Sequence, residues 1–550
     1  MAINKTDLWK KVAKLIIVRA SGYQLDSLRQ YPKWESTNKE LKAYLEQGIG
    51  GVILHGGNAQ EIQDRCNQLN TWSRNSLLLC ADVEEGVGQL FKGFTRFAPP
   101  MTFGLIYKKD KHQAVVLAEE YGKLLGEQAR NCGLNWVLAP VCDLNTNHKN
   151  PVINMRAWGE DPQVVAQLVC AFNKGLVSQG VLSCAKHFPG HGDTSVDSHL
   201  ALPVLQHSVD YLEKKELIPF KALIAEGVNS VMTAHLLLEK IDPNYPATFS
   251  KEVLSNLLRR KIGFQGLIVT DALVMEAVSK KYSPGDAAVM AFQAGADLLM
   301  MPKEPLQAID AIVGALLKGV IPVKRLEESL QRRSNELSKI DSKFSFKQSK
   351  STNTSFDSNC CESANAINLN KKLIDISLRT NHMKLGNSVE DTINLIRVDS
   401  LIYNTCLDKS SPSLIIPSQY GFQNIIIHAS GISPWTKNTT EPLNIDLFGK
   451  QKIMLQLFIR GNPFMGNSCF EEPWFSAVMQ LQKAKILKAL LIFGSPYLWD
   501  KIINKLDPSI PAIYSPAQIP LAQEKVLQLL FKSNQNSQEI LNKHEINFMN

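Results

Sequence analysis

The chain has 550 residues, of which 44% are hydrophobic and 20% charged, an ordinary globular composition that excludes both a disordered chain and a fibrous repeat. That length exceeds what one core serves, so at least two domains are expected. The formal charge of +8 is spread among acids rather than massed in one segment, which reads as solubility and speaks against a nucleic-acid partner.

The N-terminal stretch MAINKTDLWKKVAKLIIVRASGY has Leu15 to Val18 as its longest apolar run. This is too short for a signal-peptide core or a membrane span, so a cytoplasmic protein with no membrane partner is expected. From there to about residue 302, short apolar runs alternate with longer amphipathic stretches, the βα rhythm of a parallel sheet. The runs are Leu15 to Val18, Gly51 to Leu54, Leu77 to Ala81, Trp136 to Ala139, Val181 to Ala185, Ser230 to Thr233, Leu267 to Thr270 and Asp297 to Met301. Their number and spacing fit a (β/α)8 TIM barrel, with an open doubly wound sheet as the alternative. Helices are expected between them, for example over Lys111 to Asn131 and Gln163 to Ser178.

A barrel domain is thus expected over 1–340, a linker rich in Ser, Asn and Lys over 341–365, and a smaller α/β sandwich over 366–550. In that last part, apolar runs recur at Ser413 to Ile416, Asn424 to His428, Lys452 to Ile459, Ala489 to Phe493 and Ala512 to Tyr514, with helical stretches at Phe475 to Leu487 and Leu521 to Lys532. No repeat links the two halves, and the second assembles no evident chemistry. The ten cysteines contain no CxxC pair, and several sit in apolar runs, which favours buried reduced thiols over disulfides or a zinc ribbon.

In a barrel the chemistry belongs at the C-terminal ends of the strands. Run three ends in Asp82, run five in Lys186 and His187, run six in His235 and run seven in Asp271, while the loop after run four carries Arg156. A single Asp after a strand is most often a helix cap or loop residue. So many charges converging on one rim is what a polar substrate requires and packing does not. The densest segment is KHFPGHGDTSVDSH, Lys186 to His199, broken by Pro189, Gly190 and Gly192. Asp197 and His199, two apart on an extended loop, face one side, so the carboxylate can hold one imidazole nitrogen while the other moves a proton. The same loop admits a metal site built from His187, His191, Asp193, Asp197 and His199, although no zinc spacing is matched, and a plain Asp–His pair pinning the loop. Around Asp271 the stretch GFQGLIVTDALVM opens an apolar strand onto an acid placed to attack an anomeric carbon.

Together these stretches resemble glycoside hydrolase family 3, and within it the bacterial β-N-acetylglucosaminidases of peptidoglycan turnover. KHFPGHGDTSVDSH is similar to that subgroup's signature and VTDALVMEAV to the nucleophile motif, which implies Asp271 as nucleophile and Asp197/His199 as the acid/base pair. The same resemblance gives Asp82, Arg156, Lys186 and His187 the hydroxyls of the terminal sugar, with His235 in a secondary place. It covers about residues 10 to 335 and, more loosely, the second domain. One loop departs: where the family has Asp-x-Glu-Gly-Gly-Arg, this chain reads Asp82-Val83-Glu84-Glu85-Gly86-Val87, and Ala272 replaces an acid that often follows the nucleophile. The resemblance implies a retaining exo-enzyme that removes terminal N-acetylglucosamine from muropeptide fragments ending in 1,6-anhydro-N-acetylmuramic acid, with no cofactor or metal. Competing readings are a phosphorylase, a non-catalytic sugar-binding protein and a metal-dependent hydrolase.

Overall fold

A computed structural model describes residues 4–343, 363–381, 391–399, 406–428, 431–449, 451–461 and 472–531. The first compact unit runs to Leu369 and the second starts at Asn370. Most of the linker expected over 341–365 lies outside the described residues.

All eight apolar runs of the first unit carry strands. They are β1 (Ile16–Ser21), β2 (Gly51–His55), β3 (Leu78–Ala81), β4 (Trp136–Val137), β5 (Cys184–Phe188), β7 (Ser230–Thr233), β9 (Leu267–Thr270) and β10 (Leu299–Met300), while β6 (Val204–Leu205) and β8 (Leu237–Leu238) form a separate two-stranded pair. Parallel ladders join β10, β1, β2, β3 and β4 on one side and β5, β7 and β9 on the other. Single parallel bridges, Trp136 to Leu182 and Val269 to Leu298, connect the two sets and close the ring. The closed barrel, rather than an open sheet, is therefore the fold.

Its register sets the interior. Ile53 pairs with Arg19 on one side and with Cys80 on the other, and Cys80 pairs with Trp136. Register partners share a face of the sheet. Trp136 Nε1 donates to Ser230 Oγ at 3.0 Å on the far strand β7, which makes that shared face the inside of the barrel. Two residues further along, Ser21, His55 and Asp82 form the next layer towards the C-terminal mouth.

Two outer helices, Lys111–Asn131 and Pro162–Ser178, start at Asp110 and Asp161, whose side chains accept from the first-turn amides, and Pro162 occupies the first turn where no amide donor is needed. They pack closely because a Cβ on Gly122 would lie 2.0 Å from Phe172 O and one on Gly175 would lie 2.0 Å from Glu119 O. At the opposite, N-terminal end, fully buried Asp297 accepts from Arg259 Nη2 at 2.7 Å, Arg325 Nη1 at 3.1 Å, Arg332 Nη1 at 3.0 Å and the Ile268 amide at 3.0 Å. Three guanidinium groups offset the desolvation of one carboxylate and tie the last strands to the helix Val323–Lys343.

In the second unit, β12 (Thr392–Val398), β13 (Gln423–His428), β14 (Lys452–Ile459), β15 (Leu487–Gly494) and β16 (Ala512–Ser515) form a parallel sheet in the order β16-β15-β14-β12-β13, extended by antiparallel β11 (Arg379–Thr380) next to β16. Two expectations are corrected. Ser413 to Ile416 is not a strand but part of the helix Pro412–Gln419, with Pro412 in its first turn. The central strand Thr392–Val398 takes the place in the sheet instead, since a short apolar run by itself does not separate helix from strand. The helix expected over Phe475 to Leu487 stops at Lys483, because Lys485 turns the chain at φ 56° and Leu487 already begins β15. Of the seven cysteines among the described residues, six are buried and Cys170 is partly exposed. No described helix is long and apolar enough to cross a membrane.

Candidate active site

The polar residues singled out at the strand ends fall into three linked groups at the C-terminal mouth. The first is built on Lys186, at the buried heart of β5 and 1% exposed. Its Nζ lies 2.7 Å from Asp82 Oδ1 and 2.5 Å from Glu84 Oε1. Arg156, on the short 3-10 turn Asn154–Arg156, clamps Glu84 from the other side with Nε and Nη2 each 2.8 Å from a carboxylate oxygen. Burial acts against the charge on Glu84, but Arg156 and Lys186 outweigh it and hold the carboxyl well below the usual range. The two cations answer in kind: burial disfavours Lys186, yet Asp82 and Glu84 raise it, and Glu84 raises Arg156. Asp82 remains 49% exposed, so a carboxylate already positioned by Lys186 faces the opening.

The second group is His187. Its Nδ1 lies 2.7 Å from Asp143 Oδ2, and its Nε2 lies 3.4 Å from Arg156 Nη2. The carboxylate only accepts, so Nδ1 carries the proton and Nε2 accepts from the guanidinium. Asp143 is fully buried and also accepts from the amides of His187 and, at 2.7 Å, of His191. It therefore anchors the loop after β5 as well as one imidazole.

The third group brings the loop to the end of β9. His199 Nδ1 lies 2.9 Å from Asp197 Oδ1, which also accepts from the His199 amide at 2.9 Å. Asp197 is 1% exposed along its side chain and His199 18% exposed, so the carboxylate is the buried partner and the ring the accessible one. With the proton of Nδ1 committed to Asp197, transfer falls to Nε2. Asp271 follows β9 directly, partly open to the mouth, and accepts from the Ala272 amide at 2.7 Å. Burial would raise its pKa, but His235, His187 and His199, together with that amide, bring it down to about 2. The charge of Asp271 thus interacts with the His199 ring. His235 sits beneath: burial lowers its pKa against the opposing pull of Asp271, Nε2 donates to Ala272 O at 3.1 Å and Nδ1 faces Thr248 Oγ1 at 2.8 Å. It fixes the backbone just after Asp271 rather than reaching the opening.

All seven site residues expected from the sequence therefore gather at one mouth. The loop's other metal-ligand types are parcelled into separate pairs, His191 with Thr194 and Asp193 with His207. Among the described residues no group of three or more His, Cys, Asp or Glu side chains is arranged to hold a metal. Sequence reasoning missed Asp143 and the part played by Glu84. Asp143 stands four residues after the fourth apolar run, where an acid at a strand end was the available signal. Glu84 was visible only as a departure from a motif. The altered loop is itself well packed, since Glu85 pairs with Arg96 at 2.8 Å and the Tyr121 hydroxyl donates to the Glu84 carbonyl.

Beneath the loop lies a further acid, Glu216, 1% exposed and so close to Gly190 that a Cβ there would approach its Oε2 to 2.7 Å. Burial first, then the charges of Asp143 and Asp193, push its carboxyl up to about 8. Between the ordinary carboxylate pKa and that value the unfolded chain has released this proton while the folded chain keeps it, so stability falls as pH rises through the window. Glu216→Gln is expected to match the wild type at pH 5 and to melt about 3 °C higher at pH 8.5. Thermal unfolding at the two pH values checks this, and an equal shift at both would contradict it.

Residues 8–335 match the Glycosyl hydrolase family 3 N terminal domain and residues 386–532 the Bacterial Glycosyl hydrolase family 3 C-terminal domain. Beta-hexosaminidase A of Pseudoalteromonas piscicida is 37% identical over 276 residues, 46% of this chain and 46% of that protein, so the chain spans about half of that relative's length. A beta-hexosaminidase of Neisseria meningitidis serogroup C (strain 053442) is 36% identical over 274 residues, 49% of this chain and 75% of that protein. Among solved structures, a glycoside hydrolase family 3 beta-N-acetylglucosaminidase from Paenibacillus sp. str. FPU-7 aligns with a TM-score of 0.74 and 26% identity, covering 96% of this chain and 97% of that one.

Proposed function

Since the chain belongs to glycoside hydrolase family 3, we propose that this glycoside hydrolase is a retaining exo-β-N-acetylglucosaminidase that works by double displacement. The observation that carries the proposal is the meeting, at one barrel mouth, of an ionised carboxylate at the end of β9 with an imidazole that a buried carboxylate orients on the loop after β5. Asp271 attacks C1 of the terminal sugar while His199 Nε2 protonates the departing oxygen, giving a glycosyl-enzyme. His199 then takes a proton from water, which displaces Asp271 from C1 and restores the carboxylate. An imidazole needs no burial to hold a proton near neutral pH, unlike the carboxylic acid that usually fills this place. The chemistry uses no metal or cofactor.

Asp82, Arg156, Lys186 and His187 are the proposed grip on the sugar's hydroxyls. A half-open carboxylate braced by a lysine, next to an arginine and an imidazole held in one tautomer, offers acceptors and donors at fixed positions. The hexosaminidase names of its relatives support a terminal N-acetylhexosamine, and the likeness of KHFPGHGDTSVDSH to the peptidoglycan-turnover signature extends the proposed substrate to a cytoplasmic muropeptide fragment, N-acetylglucosamine linked to 1,6-anhydro-N-acetylmuramic acid. Glu84→Gln removes the charge that Lys186 and Arg156 share, so KM for an aryl N-acetylglucosaminide is expected to rise at least about tenfold. Steady-state kinetics on the folded variant measures it.

The activity itself is tested by release of p-nitrophenol from the β-N-acetylglucosaminide and the β-glucoside, with and without phosphate, followed by cleavage of the anhydro-disaccharide. Hydrolysis confined to the N-acetyl substrates supports the proposal. Phosphate-dependent formation of a sugar 1-phosphate would make the protein a phosphorylase, and binding without turnover a sugar-binding protein.

A further inference from the structure

The ends of β1 and β2 carry a second polar cluster beside the groups built on Lys186, His187 and His199. Arg19 lies in the same interior layer as Ile53 and Cys80, one layer below Ser21, His55 and Asp82. Its guanidinium stands 4.9 Å from the centre of the Tyr31 ring and 5.8 Å from that of Trp34, and the two rings stack on each other. Among the described residues the buried Glu35 is the one carboxylate in ion-pair range of it, and at 3.9 Å from Nη2 it is too far for a hydrogen bond. Among the described residues the buried Nε has no hydrogen-bond partner, nor does Nδ1 of His55, whose ring meets Tyr31 edge-on at 5.0 Å. Aromatic faces hold a guanidinium in place without consuming its donors. A buried guanidinium N–H left open is costly unless something accepts from it.

What accepts is set by charge and by neighbours. Arg19 and Glu35 together are neutral, and burial, followed by the Arg19 charge, brings His55 down to about 4, so the cluster meets its ligand with no net charge. That favours a neutral oxygen over an anion. Both Arg19 and His55 interact electrostatically with Asp82, the carboxylate open to the mouth. A sugar hydroxyl donates one hydrogen bond and accepts others, so a carboxylate and a guanidinium side by side suit one hydroxyl or a vicinal pair.

We infer that Arg19 and His55 extend the sugar pocket along β1 and β2 and read the hydroxyl-bearing edge of the terminal sugar held by Asp82. This rests on the glycoside-hydrolase reading above and adds two specificity-determining residues to it. Such a site discriminates by leaving its buried donors unpaired when the hydroxyl is missing.

The test is calorimetric binding of N-acetylglucosamine and its 3-, 4- and 6-deoxy analogues to the full chain, for wild type, Arg19→Met and His55→Gln, with aryl-glycoside turnover measured alongside. Expected is a wild type that loses at least about tenfold in affinity for one deoxy analogue, and an Arg19→Met protein that binds the parent sugar about tenfold more weakly and no longer distinguishes that analogue. His55→Gln gives the same pattern to a smaller degree and decides the matter if Arg19→Met does not fold. Unchanged affinities, an equal loss for every analogue in the variants, or no sugar binding by the wild type would each overturn the inference. Wild-type turnover separates this outcome from failure of the activity: an active wild type with indifferent variants removes only Arg19 and His55 from the pocket.

Discussion

Replacing Asp271 with asparagine is expected to lower kcat on an aryl N-acetylglucosaminide by roughly 10^4-fold or more, with melting temperature little changed. Asparagine keeps the size of the side chain and can still accept from the Ala272 amide, the contact that Asp271 makes at 2.7 Å. It cannot form the ester to C1, and both steps of the displacement pass through that bond. The environment is arranged for the charged form: burial alone would favour a neutral acid, but three imidazoles and an amide hold the group at about 2. A carboxyl lowered in the folded state stays ionised until pH falls to that value, so no loss of activity between pH 4 and 7 should trace to Asp271. Alanine in the same place opens room for a small anion, and azide should restore part of the turnover while giving the α-glycosyl azide, the product of a single inversion. An asparagine variant that keeps a tenth of wild-type kcat would show that the nucleophile lies elsewhere.

The barrel and the acids at its mouth were legible for related reasons. Strands buried on both faces must be continuous apolar runs, and eight of them at helix-sized intervals leave few other folds. Asp82, Lys186 and Asp271 then announce themselves because each interrupts or ends such a run. What escaped is what pairing alone reveals. Arg19 follows directly on the run Leu15 to Val18 and resembles a stray charge until the register of β1 places it in the barrel's interior. Asp143 shows its purpose only when the loop after β5 folds back and puts two amides and an imidazole on one carboxylate. In the second unit the failure was local: Ser413 to Ile416 is apolar and short, and whether Pro412 opens a helix there is settled by the sheet that Thr392–Val398 already fills. Spacing finds elements and strand ends, whereas counter-ions depend on contacts far apart in the chain, such as the 72 residues between Glu84 and Arg156.

For the acid/base pair the expected result is a rate loss that depends on the leaving group. His199→Ala should reduce turnover of the anhydro-disaccharide, whose departing oxygen must be protonated, by about 10^2- to 10^4-fold. A 2,4-dinitrophenyl glycoside leaves without a proton, so its glycosylation step should slow less than about tenfold. The second step still lacks its base. The variant should therefore release a burst of dinitrophenol equal to the enzyme present and then stall as a glycosyl-enzyme on Asp271, detectable by intact mass. Added azide or formate attacks without general-base help and should relieve the stall. Asp197→Asn should fall between the two proteins: the ring stays, but the buried carboxylate that fixes the Nδ1 proton at 2.9 Å is gone, and an amide can present either a donor or an acceptor to it. Equal losses across all leaving groups, with no burst, would reduce the pair to a brace for the loop and move the proton donor to another side chain.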